Sequence, residues 1–183
     1  SQDKDAQRIL KLSDVGTETK SDLYRQKARQ KRGESRAMLE GMLRKNQARG
    51  ETKAVMLLRL AENYMEEGED LYRSEMGAFQ RTFDACFNDQ RCNTETMLAN
   101  NDGSKRWRTK AIKIYQALLK GFPQFRRADA ASFYLAIALR ETGQPDAAVK
   151  RLTQLVQNYP QSHNTPDAYV LIDVCRGRIL DEN

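Results

Sequence analysis

The chain has 183 residues, a formal net charge of +6, and 39% hydrophobic, 8% aromatic and 31% charged residues. That composition supports one or two small domains with a thin core. It offers neither a run of about 18 apolar residues to cross a membrane nor the basic-then-apolar pattern of a signal peptide. Ala, Leu, Glu, Lys, Arg and Gln dominate, with four prolines and ten glycines, so an all-α fold is expected.

Residues 1–19 are polar with little periodicity, and read as a flexible linker or a short frayed helix about Ile9–Leu12. Residues 20–50 read as a basic helix with a weak apolar stripe of Leu23, Tyr24, Ala28, Met38, Leu39, Met42 and Leu43, broken at Gly50. From Glu51 to about Cys86, Leu57, Leu60, Ala61, Tyr64, Leu71, Tyr72, Met76, Phe79 and Phe83 recur at helical spacing. One helix over that span would be on the order of 50 Å long, far beyond the usual length, which makes Gly68 a candidate break. Residues 87–103 carry Asn, Asp, Thr and Gly and read as an inserted loop. Helices follow over 104–121, 128–142 and 145–158, the last with Pro145 in its first turn, where no N–H is needed. A final helix starts at Thr165, a candidate N-cap, with Pro166 behind it.

Charge is blocked. Lys20 to Lys53 holds eleven Lys/Arg against four Asp/Glu, and Glu62 to Glu75 holds six acids against one Arg. Arg25, Arg29, Arg32 and Arg36 form one helical stripe. The stripe suits a solvated face, a face docked on the acidic run, or a surface for a polyanion such as nucleic acid or anionic lipid. Only Tyr24 interleaves it, and no nucleic-acid motif accompanies it.

Two segments align at a fixed offset. KAIKIYQALLKGFPQ (Lys110–Gln124) and AAVKRLTQLVQNYPQ (Ala147–Gln161) match Ala111 to Ala148, Tyr115 to Leu152, Leu118 to Leu155 and Phe122-Pro123 to Tyr159-Pro160. A small residue lets a neighbouring helix approach, large residues four and seven positions on share its face, and Pro stops the helix. Gly143 ends the preceding helix in the left-handed conformation.

These residues resemble the tetratricopeptide repeat, on Leu135, Ala136, Leu139, Gly143, Ala148, Leu152, Leu155 and Pro160. An earlier copy reads Leu60, Ala61, Tyr64 and Gly68, resuming at Ala111 and ending at Pro123 after the insertion. A third first-type helix starts at Pro166, where Ile172 is followed by Asp173 in place of a small residue, as suits a terminal cap. The resemblance implies stacked antiparallel helical hairpins over 51–183, preceded by an elongated helical pair. It implies a concave surface lined by first helices, with Ala130, Phe133, Ile137 and Arg140 facing it from one repeat and Leu58, Glu62 and Met65 from the one before. Phe133 is read either as a groove residue or as packing on a neighbouring repeat. The last helix needs a cover for its apolar face, from a further helix or another chain.

The extra residues after Pro123 and Pro160, with YPQSHNTPDAYVLI, are similar to bacterial envelope tetratricopeptide proteins. LLRLAENYMEEGEDLYRSEM with its Cys-containing insertion looks like repeat proteins of predatory and gliding δ-proteobacteria, gliding-motility components among them. The resemblance implies protein partners in an envelope complex, no small-molecule substrate and membrane contact only through partners; the alternative is a module that binds a polyanion, nucleic acid or anionic lipid, through the basic helix 20–53, with nucleic acid the less expected partner. Monomer and homodimer both stay open. The compartment implied is the periplasm, with the cytoplasm as the alternative.

Cys86 and Cys92 are spaced for a loop-closing disulfide, worth about 2 kcal/mol, or are two reduced thiols; the envelope resemblance favours the bridge. Cys175 reads as a small core residue, and His163 as an exposed turn residue. Two cysteines and one histidine do not make a zinc set. No nucleophile–base pair and no phosphate loop is visible, so neither catalysis nor a cofactor is expected.

Overall fold

The computed structural model describes the backbone of residues 2–89 and 93–181, and side chains from 23 to 177 apart from 90–92 and 96. The described residues form six α-helices and one 3-10 turn: α1 (Gln2–Arg44), α2 (Gly50–Phe87), a 3-10 turn (Thr94–Thr96), α3 (Asp102–Gly121), α4 (Ala128–Glu141), α5 (Pro145–Asn158) and α6 (Thr165–Asp181). The chain divides into two compact units, Ser1–Gly41 and Met42–Asn183.

The first unit lies on α1. The polar segment 1–19, expected as a linker or a short frayed helix, is helical from Gln2. α1 ends at Arg44 in a left-handed Asn cap. Asn46 has φ 52°, its N–H bonds to Leu43 O at 3.1 Å, and Gln47 N–H bonds to Met42 O at 3.1 Å.

In the second unit α2 packs on α3, α3 on α4, α4 on α5 and α5 on α6. This is the stacked-hairpin order expected of the repeat. Ala111, Tyr115, Leu118, Ala148 and Leu152 are fully buried and Leu155 is 1% exposed. Burial of each leucine contributes about 2 kcal/mol. The first helices supply the facing layer: Leu60, Ala61 and Tyr64 on α2, Leu135, Ala136 and Leu139 on α4, and Ile172 and Cys175 on α6, all buried.

The connections repeat as faithfully as the core. After α3, Phe122 N–H bonds to Leu118 O (2.8 Å), Phe125 N–H to Phe122 O (3.0 Å) and Ala128 N–H to Phe125 O (2.8 Å). After α5, Tyr159 N–H bonds to Leu155 O (2.8 Å), Ser162 N–H to Tyr159 O (3.0 Å) and Thr165 N–H to Ser162 O (3.0 Å). Phe122 and Tyr159 share one backbone geometry, φ/ψ −137/63° and −132/58°. So the aromatic-Pro stop sets the direction in which the next helix leaves. Between α4 and α5, Gly143 takes φ 81°. Gln144 N–H bonds to Leu139 O (2.9 Å) and Gly143 N–H to Arg140 O (3.0 Å), the doubled cap that a Gly just past a helix end permits.

Three expectations are corrected. α2 runs unbroken through Gly68. That glycine is buried, and a Cβ there would lie 3.1 Å from Arg108 Cγ and 3.3 Å from Ser104 O. It lets α3 approach instead of ending a helix. The inserted stretch 87–103 is not all loop, since it holds the 3-10 turn and the first residues of α3. Thr165 is the first residue of α6, not a cap outside it, and its hydroxyl donates back to Tyr159 O at 2.8 Å.

Candidate functional site

Ion pairs fix how α2 meets its neighbours. Arg108 on α3 is 3% exposed. Its Nε donates to Glu141 Oε2 on α4 at 2.6 Å and its NH2 to Glu69 Oε2 on α2 at 3.2 Å. Arg127, before α4, reaches Glu62 on α2 at 3.3 Å. Arg126 reaches Glu51 at 3.0 Å. Glu75 accepts from Ser104 N–H at 3.2 Å, placing a carboxylate at the N-terminus of α3, where the helix dipole favours it. Three carboxylates of the acidic run are thus engaged by α3 and by the start of α4. Glu66, Glu67 and Asp70 are each engaged too, as are Arg25, Arg29, Arg32 and Arg36.

The residues expected to face the concave surface fall into two groups. On α2, Leu58 is 1% exposed and belongs to the core, so its expected groove position is corrected. Glu62 is held by Arg127 and, at 3.1 Å, by Arg59, while Met65 is half-buried. On α4, Ala130, Phe133, Ile137 and Arg140 are all half-buried. Phe133 meets Tyr134 edge-on, centroids 5.9 Å apart. Among the described residues no ion pair involves Arg140, unlike Arg108 and Arg127.

The sequence reading missed Val170 and Val174 on α6, exposed by 63% and 45%, and Tyr134, exposed by 38%. The signal was present. The 37-residue offset carries Phe133 onto Val170 and Ile137 onto Val174. The same offset carries the buried Ser132, Ala136 and Leu139 onto Tyr169, Asp173 and Arg176, which are exposed. That face of α6 is exposed, and it mixes the polar Asp173 and Arg176 with the apolar Tyr169. Asp173, where a small residue was expected, is exposed, and Tyr169, Val170 and Val174 leave apolar surface open on α6.

At the junction of α2, α3 and α4 lies Tyr115, fully buried, whose hydroxyl has no hydrogen-bond partner among the described residues. Burial first, and the nearby Glu62 carboxylate second, raise its pKa above the usual phenol range. Tyr115→Phe removes an unsatisfied buried group and is expected to raise the unfolding free energy by about 1 kcal/mol in urea titrations. The unfolded phenol ionises near pH 10, while the folded one keeps its proton. Tyr115 therefore costs stability as pH rises above that value, and the Phe variant should lose that part of the alkaline slope. A destabilised variant would mean that the hydroxyl makes a bond in solution.

Among the described residues no cluster of His, Cys, Asp or Glu could hold a metal ion. None of the described helices is long and apolar enough to cross a membrane. Cys86 is buried at the end of α2, Cys175 is buried on α6, and Cys92 lies outside the described residues. His163 is exposed.

Residues 130–162 match the family model described as tetratricopeptide repeat, which is the α4–α5 hairpin and the turn after it. No curated protein and no solved structure matches the chain. The described residues are all-helical with one hairpin that matches the tetratricopeptide repeat, and a repeat of this type suggests a protein–protein interaction module.

Proposed function

We propose that the chain is a non-catalytic scaffold of a bacterial envelope complex, holding a protein partner across the face that α4 and α6 share. The observation that carries this reading is the apolar strip of Phe133 and Ile137, repeated at Val170 and Val174, with Arg140 beside it. Half-exposed apolar side chains in register on successive helices give a partner several anchors at once. A photo-crosslinker at Ile137 or Val174, in cells of the native host, is expected to trap that partner, while one at the exposed Lys150 on α5 does not. Ile137→Asp should weaken capture by at least about tenfold, roughly 1.4 kcal/mol. Equal trapping from Lys150 would place the partner elsewhere.

The envelope setting, with gliding-motility or related cell-envelope machinery as its narrowest form, is supported by the cysteine pair and by the phrase similarity of the elongated repeats. A bridge between Cys86 and Cys92 belongs to an oxidising compartment. Alkylation of native protein under denaturing conditions should label one cysteine before reduction and three after. Three in both samples would remove the periplasm and leave a cytoplasmic partner.

A further inference from the structure

The outer part of α2 carries a second surface, separate from the groove. α3 begins at Asp102, and its Ser104 N–H already lies against Glu75 of α2. α2 continues to Phe87. Tyr72, which also lies 5.2 Å from the Arg108 guanidinium, and then Met76, Phe79, Phe83 and Phe87 recur three and four apart, so they form one stripe of one helix. The Phe79 and Phe83 rings are 6.0 Å apart, and those of Phe83 and Phe87 are 6.4 Å apart. Phe87 is 74% exposed, while Met76, Phe79 and Phe83 are half-buried. Beside the stripe a crevice of about 690 Å³ opens between Phe79 and the segment bearing Leu98, itself 90% exposed. A contiguous run of partly exposed apolar side chains beside an open crevice is the kind of surface on which partners dock.

The charges beside the stripe select its occupant. Arg73, Gln80 and Asp84, all exposed, line one flank at spacings of seven and four. Arg73 contacts Glu69 at 3.1 Å, and Gln80 donates to Asp84 at 2.8 Å. One cation lies just before Phe79 and one anion at nearly the same distance after it. We propose that two copies of the chain pair antiparallel through this stripe, about a two-fold axis at Phe79. Phe79 then meets its own copy, Met76 meets Phe83, and Tyr72 meets Phe87. In an antiparallel pair the like flanks of the two helices lie together, so Arg73 of each copy meets Asp84 of the other. An unrelated apolar helix would use the stripe but has no reason to match that order of charges. A copy matches it by symmetry, residue for residue.

Sedimentation of the full chain tests this. The wild type is expected to sediment as a dimer at micromolar concentration. Arg73→Asp and Asp84→Arg should each weaken dimerisation by at least about tenfold through like-charge contact, and the double reversal should restore it. Phe83→Asp should give a monomer of unchanged far-UV circular dichroism. Both charge positions are exposed, so the charge swap decides the matter even if Phe83→Asp fails to fold. A wild type that stays monomeric into the millimolar range, a dimer indifferent to the single reversals, or one that the double reversal does not restore overturns the proposal. None of these results bears on partner capture at Ile137.

Discussion

Ala148→Trp is expected to destroy the cooperative melting of the α4–α5 hairpin. Ala148 on α5 and Ala136 on α4 are both fully buried, and the two helices pack directly. Interiors of this kind are as dense as organic crystals, so an indole has no space without parting the helices. Overpacking by single methylenes typically costs 1–3 kcal/mol. A whole indole should cost at least about 3 kcal/mol, a large share of the roughly 5–15 kcal/mol that holds a domain folded. The hairpin is the middle of the stack, so the loss extends to its contacts with α3 and α6. A fall in melting temperature of about 10 °C or more, or loss of a single transition, is the outcome to look for by calorimetry. Ala148→Gly gives the scale, at about 1 kcal/mol from helix propensity alone. Unchanged melting of the Trp variant would mean that α4 and α5 do not pack through this position.

Arg108→Met is expected to cost about 2–3 kcal/mol. The guanidinium is buried, holds Glu141 and Glu69, and sits 5.2 Å from the centre of the Tyr72 ring. Breaking a fully buried pair costs about 3–5 kcal/mol. Here the Glu141 and Glu69 side chains are 26% and 45% exposed, so water recovers part of that. Arg108→Lys should fall between the two, because one ammonium cannot span both carboxylates as the planar fork does. Adding Glu141→Gln to the Met variant should restore part of the loss. Chemical denaturation of the four proteins checks the series. A Met variant as stable as wild type would mean that desolvation of the arginine already offsets its bonds.

Arg108 also marks the limit of what could be read before the fold was seen. The repeat core was legible because Ala, Leu and aromatic-Pro recur at a fixed offset, and each has a local physical reason for its place. The Gly143 cap was legible for the same reason. Gly68 occupies the matching register and does the opposite. Its neighbours come from Ser104 and Arg108, far along the chain, and no local pattern announces them. The extent of the helix over 2–19 was missed because helical propensity without an apolar stripe leaves no periodic signal. Register also named Phe133, Ile137 and Arg140, which are half-buried on α4. Leu58 was misplaced, since register gives a direction from the helix axis but not what lies in that direction. Val170 and Val174 were within reach of the same offset that found Phe133.

One helix, α2, belongs both to the first repeat and to the stripe beyond it. Glu62 and Phe83 lie on the same uninterrupted rod, on the order of 30 Å apart at about 1.5 Å per residue. No proline lies between them, Gly68 is clamped under α3, and the helix continues through Gly77. The protein is therefore a ruler as well as a clasp. Whatever rests on the repeats and whatever rests on the outer helix are kept at one separation and one rotation. Inserting a single residue would turn one surface against the other by about 100°, whereas a seven-residue insertion would lengthen the ruler by about 10 Å and nearly preserve its bearing.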